Sequence, residues 1–304
     1  MSLYLKYRPE DLSQIKGNEA IVTPLRNMLE DIESCPHSFL LYGPTGCGKT
    51  TIARIIAKRL GCVGVDLQEV DIGDYRGIDT IRDIRRNSMF SPMDGNARVW
   101  IMDEAHKMTG DAMNALLKIL EEPPPHVYFV LCTTEPQKLL PTIRGRCQQF
   151  QVLPLTETQM RGLLRKIIKE EGESLENEVI DQIITNTNGL PRNALQLLEQ
   201  VFCVPKEMRL EVAQKFEAET AQAIDLCRAL LKNAGWGEIR GILQGLKGQD
   251  AESIRRVVLG YCQSVLLNED KAICGLILEE FITPFYDSGF PQLVYACYSV
   301  TKNR

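Results

Sequence analysis

The sequence predicts an α/β domain on a parallel sheet with helices on both faces, then a small helical domain and a second all-helical one. Three observations carry this. Short apolar runs alternate with helical periods through the first half of the chain. The glycine-rich stretch from Gly43 to Thr50 sits between one such run and one such helix. After Pro154 the pattern turns to helix upon helix. The simplest division is 1–154, 155–204 and 205–304.

Ser38-Phe39-Leu40-Leu41-Tyr42 is an apolar run ended by Gly43, the pattern of a buried strand. Thr50 to Leu60 then places Ile52, Ile55, Ile56 and Leu60 on one helical face, with Gly61 as the stop. Arg98-Val99-Trp100-Ile101-Met102 and Val127-Tyr128-Phe129-Val130-Leu131-Cys132 predict two more buried strands. The helix between them runs from Asp111 to Leu120 and stops before Glu121-Glu122-Pro123-Pro124-Pro125. Thr156-Glu157-Thr158-Gln159 has the form of a capping box, and Met160, Leu163, Leu164, Ile167 and Ile168 share the face of the helix it opens. Val179, Ile180, Ile183 and Ile184 mark a second helix, and a third begins near Pro191 and carries Ala194, Leu195 and Leu198. From about Pro205 the clearest stripe is Ile254, Val257, Val258, Tyr261, Val265 and Leu266.

Composition excludes several classes. With 44% hydrophobic and 25% charged residues the chain is an ordinary globular one. No apolar run approaches the roughly 20 residues of a membrane span, and the start, MSLYLKYRPEDL, has no signal-peptide core. The expected setting is the cytoplasm, or a host's cytoplasm for a viral protein, with no membrane partner. Of the ten cysteines no two have the spacing of a zinc-ligand pair, and several lie in apolar stretches, so they read as small buried hydrophobes. A net charge of −5 does not mark a nucleic-acid binder, although a local basic strip can be hidden in the sum.

Gly43-Pro44-Thr45-Gly46-Cys47-Gly48-Lys49-Thr50 fits G-x-x-x-x-G-K-[ST] in full, after a strand and before a helix. The backbone N–H groups of such a loop converge on phosphates. Lys49 then reaches the β- and γ-phosphates of ATP, the Thr50 hydroxyl binds Mg²⁺, and Thr51 adds a further contact. Asp103-Glu104-Ala105-His106 follows the strand ending at Met102. Asp103 is placed to hold Mg²⁺ and Glu104 to act as general base on the attacking water. The plain alternative is an acidic pair capping the next helix. Ile81-Arg82-Asp83-Ile84-Arg85-Arg86-Asn87 sets Arg82 and Arg86 on one helical face with Arg85 beside them, a face able to track phosphates or simply to be solvated.

With these motifs in this order, the sequence resembles the AAA+ sliding-clamp loader subunits, namely the bacterial gamma-type subunits of DNA polymerase III and the small subunits of replication factor C. The likeness covers roughly residues 4–200. It rests on Lys6-Tyr7-Arg8-Pro9 with Ile15-Lys16-Gly17, on Asp74-Tyr75-Arg76-Gly77-Ile78-Asp79, and on Asn114 to Pro124. Thr133-Thr134-Glu135-Pro136-Gln137-Lys138-Leu139, Gly145-Arg146-Cys147 and Gly189-Leu190-Pro191-Arg192-Asn193-Ala194-Leu195 complete it. The resemblance implies an AAA+ P-loop domain, a helical lid and a C-terminal helical collar. Arg8, Pro9 and Ile15 would wrap the adenine, Thr134 would be sensor 1, and Arg192 would reach the γ-phosphate as sensor 2. Arg146 would be an arginine finger acting on a neighbour's ATP, with Gly145 in the family's serine position and Arg144 able to share the role. Arg82 and Lys118 fall where the family contacts DNA.

The implied function is an ATPase, stimulated by DNA, that opens a sliding clamp and loads it onto primer-template DNA during replication. Its partners would be the clamp, the DNA backbone and similar subunits in a ring, taken as pentameric. The chain runs from Gly61-Cys62-Val63 into the next strand without the four-cysteine module common in gamma-type subunits, so no zinc is expected. Ending at residue 304 leaves no long tail for a polymerase or helicase. Another AAA+ machine, such as a branch-migration motor, and a non-hydrolysing stator subunit are the competing readings. Exposed apolar character singles out Met89-Phe90-Ser91-Pro92-Met93 as a candidate clamp contact.

Overall fold

The computed structural model describes residues 2–75, 77–249, 251–269, 271–285 and 289–303, and the side chains of 215–221, 253 and 268 lie outside the description. Arg76, part of one of the motifs above, falls outside the described residues. The chain divides into two compact units, Met1–Pro205 and Lys206–Arg304.

The first unit opens with α1 (Leu3–Lys6) and α2 (Glu19–Glu30). The alternating region follows: β1 (Ser38–Tyr42), α3 (Lys49–Arg59), β2 (Leu67–Asp71), α4 (Ile78–Ser88), β3 (Arg98–Asp103), α5 (Gly110–Glu121), β4 (Val127–Thr133), α6 (Pro141–Arg146) and β5 (Gln148–Gln151). The five strands form one sheet in the order β2-β3-β4-β1-β5, and every pairing is parallel. Leu40 lies opposite Leu131 on one side and Gln149 on the other. A parallel sheet needs cover on both faces, and the alternation along each central strand supplies it. Phe39, Leu41, Val99, Ile101, Val130 and Cys132 point to the face packed by α2 and α3. Leu40, Trp100, Met102, Phe129 and Leu131 point to the face packed by α4, α5 and α6. This agrees with the expected fold class.

The outer strands β2 and β5 are the two elements the periodicity does not delimit. Both are polar and largely uncovered, β5 reading Gln148-Gln149-Phe150-Gln151 with only Phe150 buried. The expected strands gain one residue at the carboxyl end, Asp103 on β3 and Thr133 on β4, and the expected helix at 111–120 gains one at each end.

Helices α7 (Glu157–Glu170), α8 (Asn177–Thr187) and α9 (Pro191–Phe202) complete the first unit. Thr156 caps α7 through a full capping box with Gln159, as the sequence predicts. Met160, Leu164, Ile167 and Ile168 are buried on α7, while Leu163 is half-buried. Just before β2, Asp66 is fully buried. It accepts N–H groups from Met93, Asp94 and Gly95 and pairs with Arg98 at 3.0 Å. Arg98 in turn donates to the Ser91 carbonyl at 3.3 Å, so the chain from Ser91 to Gly95 is held from beneath.

The second unit is all helical: α10 (Lys206–Leu231), α11 (Trp236–Gly245), α12 (Ala251–Asn268), α13 (Ala272–Phe281) and α14 (Gly289–Lys302). Its core gathers Leu226, Ile239, Ile254, Val258, Ile277, Phe281 and Leu293. The expected stripe of α12 is buried at Ile254 and Val258, half-buried at Val257, Tyr261 and Val265, and exposed at Leu266. Glu252 is buried and meets Arg255 at 2.7 Å and the Phe285 N–H at 2.9 Å, which ties α12 to the segment after α13. Nine of the ten cysteines are buried, Cys203 being the exposed one. Burial pushes the thiols of Cys35 and Cys62 up to about 11 and those of Cys147, Cys227 and Cys262 up to about 12, consistent with apolar packing. No helix among the described residues is long and apolar enough to cross a membrane.

Candidate functional site

A parallel sheet brings the carboxyl ends of its strands to one edge, and that edge is where ligands of such folds bind. Here β1 delivers the glycine-rich loop, β3 delivers Asp103 and Glu104, and β4 delivers Thr133 and Thr134. Gly43, Gly46 and Gly48 all have positive φ. At Gly43 a side chain is impossible on two counts. Its φ is +150°, and a Cβ would stand 2.1 Å from the Val152 carbonyl oxygen. The loop opens directly into the first turn of α3, where unpaired N–H groups and the helix dipole favour an anion. Lys49 is buried and donates to the carbonyls of Gly43 and Pro44 at 2.9 and 3.0 Å. Its ammonium therefore lies within the loop's own curve, where a phosphate chain would be gripped. The Thr50 hydroxyl donates to Asp103 Oδ2 at 2.8 Å, which joins the loop to the end of β3. An all-oxygen pair of this kind suits a hard divalent cation such as Mg²⁺. The residues present thus fit both ATP and its metal.

Beside the loop is a cavity of about 420 Å³ whose lining includes Arg8, Pro9, Ile15, Cys47, Thr51 and Arg192. That volume lies in the usual range for small-molecule sites. Arg8 donates from Nε to the Thr51 hydroxyl at 3.1 Å, so the N-terminal segment is fastened to α3. Burial, with the positive charge of Arg54 next, lowers the Arg8 pKa, and Arg192 adds to the same effect. The Tyr7 phenol and Lys6 both donate to Glu171 just past α7, at 2.5 and 2.7 Å. The bond to Glu171 first, then burial, pushes Tyr7 up to about 12. Arg192 enters from the first turn of α9, its backbone approaching the Gly46 carbonyl at 3.5 Å. A Cβ on Gly46 would lie 3.4 Å from that of Arg192. The wall formed by α7 and α9 and the phosphate loop therefore share one cavity.

Glu104 has a left-handed backbone, φ +51° and ψ +39°, and its N–H donates to Asp103 Oδ1 at 3.0 Å. Around it stands a group that sequence reading leaves unassigned. His106 Nδ1 is 3.5 Å from Glu104 Oε2 and 3.0 Å from Thr133 Oγ1, and its Nε2 is 3.4 Å from Glu135 Oε1. Thr133 is fully buried, and Thr134, the expected sensor 1 position, is half-buried beside it. His106 stands two residues from an acidic pair, a signal of sorts. Nothing in linear spacing shows that Glu135 meets it.

The remaining expected residues are not among those lining that cavity. Arg146 is exposed at the end of α6 and pairs with Glu121 of α5. A Cβ on Gly145 meets open space, so the family's serine would fit there without displacing anything. Arg82, Arg85 and Arg86 are exposed on α4, and Lys118 is exposed on α5, which packs against α4. Arg82 pairs with Asp79 at 2.9 Å and Arg86 with Asp83, each one turn back on the same helix.

A five-stranded parallel sheet, a phosphate loop and an acid-bearing β3 define an AAA+ P-loop protein, and solved structures agree on the fold. The RuvB Holliday junction branch migration motor of Thermotoga maritima superposes with a TM-score of 0.61 at 19% identity, over 74% of this chain and 79% of that one. Residues 17–156 match the family described as DNA polymerase III, delta subunit. The gamma/tau subunit of DNA polymerase III from Mycobacterium tuberculosis is 37% identical over 224 residues, which is 66% of this chain and 39% of the relative. The gamma subunit of Buchnera aphidicola is 35% identical over 222 residues, 66% of this chain and 61% of the relative. The tau subunit of Escherichia coli is 36% identical over 216 residues, 64% and 33%. The chain spans from about a third to three fifths of the length of these relatives. Over some two thirds of its own length it is homologous to the gamma-type subunits, the likeness its motifs point to.

Proposed function

We propose that the protein is an ATPase subunit of a sliding-clamp loader, acting in DNA replication in the cytoplasm. The observation that carries this is the junction of the phosphate loop with the Asp103-Glu104 edge through Thr50, in a chain homologous to gamma-type subunits. Lys49 and the loop amides hold the phosphates, while Thr50 and Asp103 hold Mg²⁺. Arg8, Pro9, Ile15 and Thr51 bound the base and sugar, and Thr134 and Arg192 attend the γ-phosphate. Glu104 takes a proton from water as the water oxygen bonds to phosphorus and the bond to ADP breaks. Residues 155–204 act as a lid and 205–304 as a collar.

Arg146 acts on a neighbouring subunit's nucleotide in a ring, which we take to be pentameric. Being exposed, it is available to such a neighbour once it leaves Glu121, and surface pairs of this type hold by only about 0–1 kcal/mol. Arg82, Arg85, Arg86 and Lys118 follow the DNA backbone. Met89, Phe90 and Met93, all exposed, form a small apolar surface suited to the clamp.

The test is steady-state ATP hydrolysis with and without primer-template DNA, for wild type and Arg146→Ala, with the partner subunits present. DNA stimulation that disappears in Arg146→Ala supports the reading, the arginine being worth roughly 10³-fold or more. A rate indifferent to both DNA and Arg146 overturns it.

A further inference from the structure

We propose that His106 is a positioning residue for hydrolysis, fixing the carboxylate of Glu104 against a polar junction made by Thr133 and Glu135 at the end of β4. The inference rests on the assignment of Glu104 as base and adds a residue to it.

Four observations converge. Glu104 occupies a left-handed backbone conformation that a residue other than glycine rarely adopts, so its direction is imposed by its surroundings. Only 8% of the His106 side chain is exposed, against 27% for Glu104, so the ring forms a wall beside the carboxylate rather than a mobile surface group. The ring addresses the carboxylate through Nδ1 and Glu135 through Nε2, at 3.5 and 3.4 Å. Finally, the Thr133 hydroxyl accepts the Glu135 N–H at 3.0 Å and also hydrogen-bonds His106 Nδ1 at 3.0 Å.

Thr133 holds the Nδ1 side of the ring and Glu135 faces its Nε2 side. Burial lowers the pKa of His106 and favours the neutral ring. Glu104 and Glu135 oppose the shift, and Lys138 and Lys107 add to it. A neutral ring does not bind the carboxylate as an ion pair would; held on both sides, it limits where the carboxylate can swing. Glu135 also pairs with Lys138 at 2.9 Å, at the start of the segment that runs through α6 to Arg146. The base is in this way connected to the stretch of chain that carries the arginine offered to the neighbour.

The test compares His106→Leu, His106→Asn and His106→Gln with Glu104→Gln in the assembled complex, measuring kcat, nucleotide Kd and Tm. Asparagine places a polar atom near the position of Nδ1, and glutamine near that of Nε2. The expected result is a fall in kcat of at least about tenfold for His106→Leu with nucleotide Kd within about twofold of wild type. Asparagine should restore turnover further than glutamine, whatever the order of their melting temperatures. A filler role in the core would instead make the loss follow Tm alone. Equal turnover in the Asn and Gln variants, or wild-type turnover in the Leu variant, overturns the inference while a dead Glu104→Gln leaves the base assignment standing. Undiminished turnover in Glu104→Gln overturns the base assignment and this inference with it.

Discussion

Lys49 and Gly43 set the two kinds of constraint at the proposed nucleotide site. For Lys49 the proposed constraint is functional: it is buried and curled onto the loop. Lys49→Ala should therefore abolish ATP binding in equilibrium titration while the circular-dichroism spectrum remains that of the wild type. Gly43 is a steric constraint, because its φ and the Val152 carbonyl both exclude a side chain. Gly43→Ala should cost about 2 kcal/mol or more in urea unfolding of the first unit. Asp66 adds a pH-dependent term. Burial alone would raise its pKa, but the N–H groups of Asp94 and Met93, the Arg98 ion pair and the Gly95 N–H together pull it down to about 2. A carboxylate depressed in the folded state stabilises the fold above its unfolded value, near 3.8, and loses that contribution as the pH falls toward 2. The stability gap between wild type and Asp66→Asn should thus be wide at about pH 6 and shrink as the pH falls from about 4 to about 2 in urea titrations.

Among the elements, α7 and α4 illustrate opposite sources of order. The start of α7 is set locally by the Thr156–Gln159 capping box, and Thr156→Ala should lower stability by about 1 kcal/mol, read from the urea midpoint. Helix α4 is set by its buried Ile81 and Ile84, leaving three arginines outward. Two of them are occupied by aspartates one turn away, so binding a phosphate means exchanging one anion for another at small net cost. Replacing Arg82 and Arg86 by alanine should reduce the salt dependence of DNA binding by a slope of about two, measured by titration across potassium chloride concentrations. Strands differ in how clearly they are written. The central strands β1, β3 and β4 are buried on both faces and so appear as continuous apolar runs. The edge strands β2 and β5 have polar sequences because they meet water, and no local pattern separates them from loops.

At the scale of the whole molecule, the sequence alone determined the α/β class, the phosphate loop, the acidic pair and the helical second half. Each of these is governed by local chemistry. A loop must curl within eight residues to surround a phosphate, and a helix must repeat its apolar face every three to four residues to bury it. The tertiary structure decided the strand order, which threonine and which glutamates meet His106, and the attachment of Tyr7 to Glu171 across more than 160 residues. It also decided that Arg146 rests on Glu121 and that Arg98 and Asp66 hold the chain beneath Met93. These contacts join residues that have no fixed spacing. Their geometry exists only after the sheet has ordered its strands, and periodicity along a chain holds no record of distance across it.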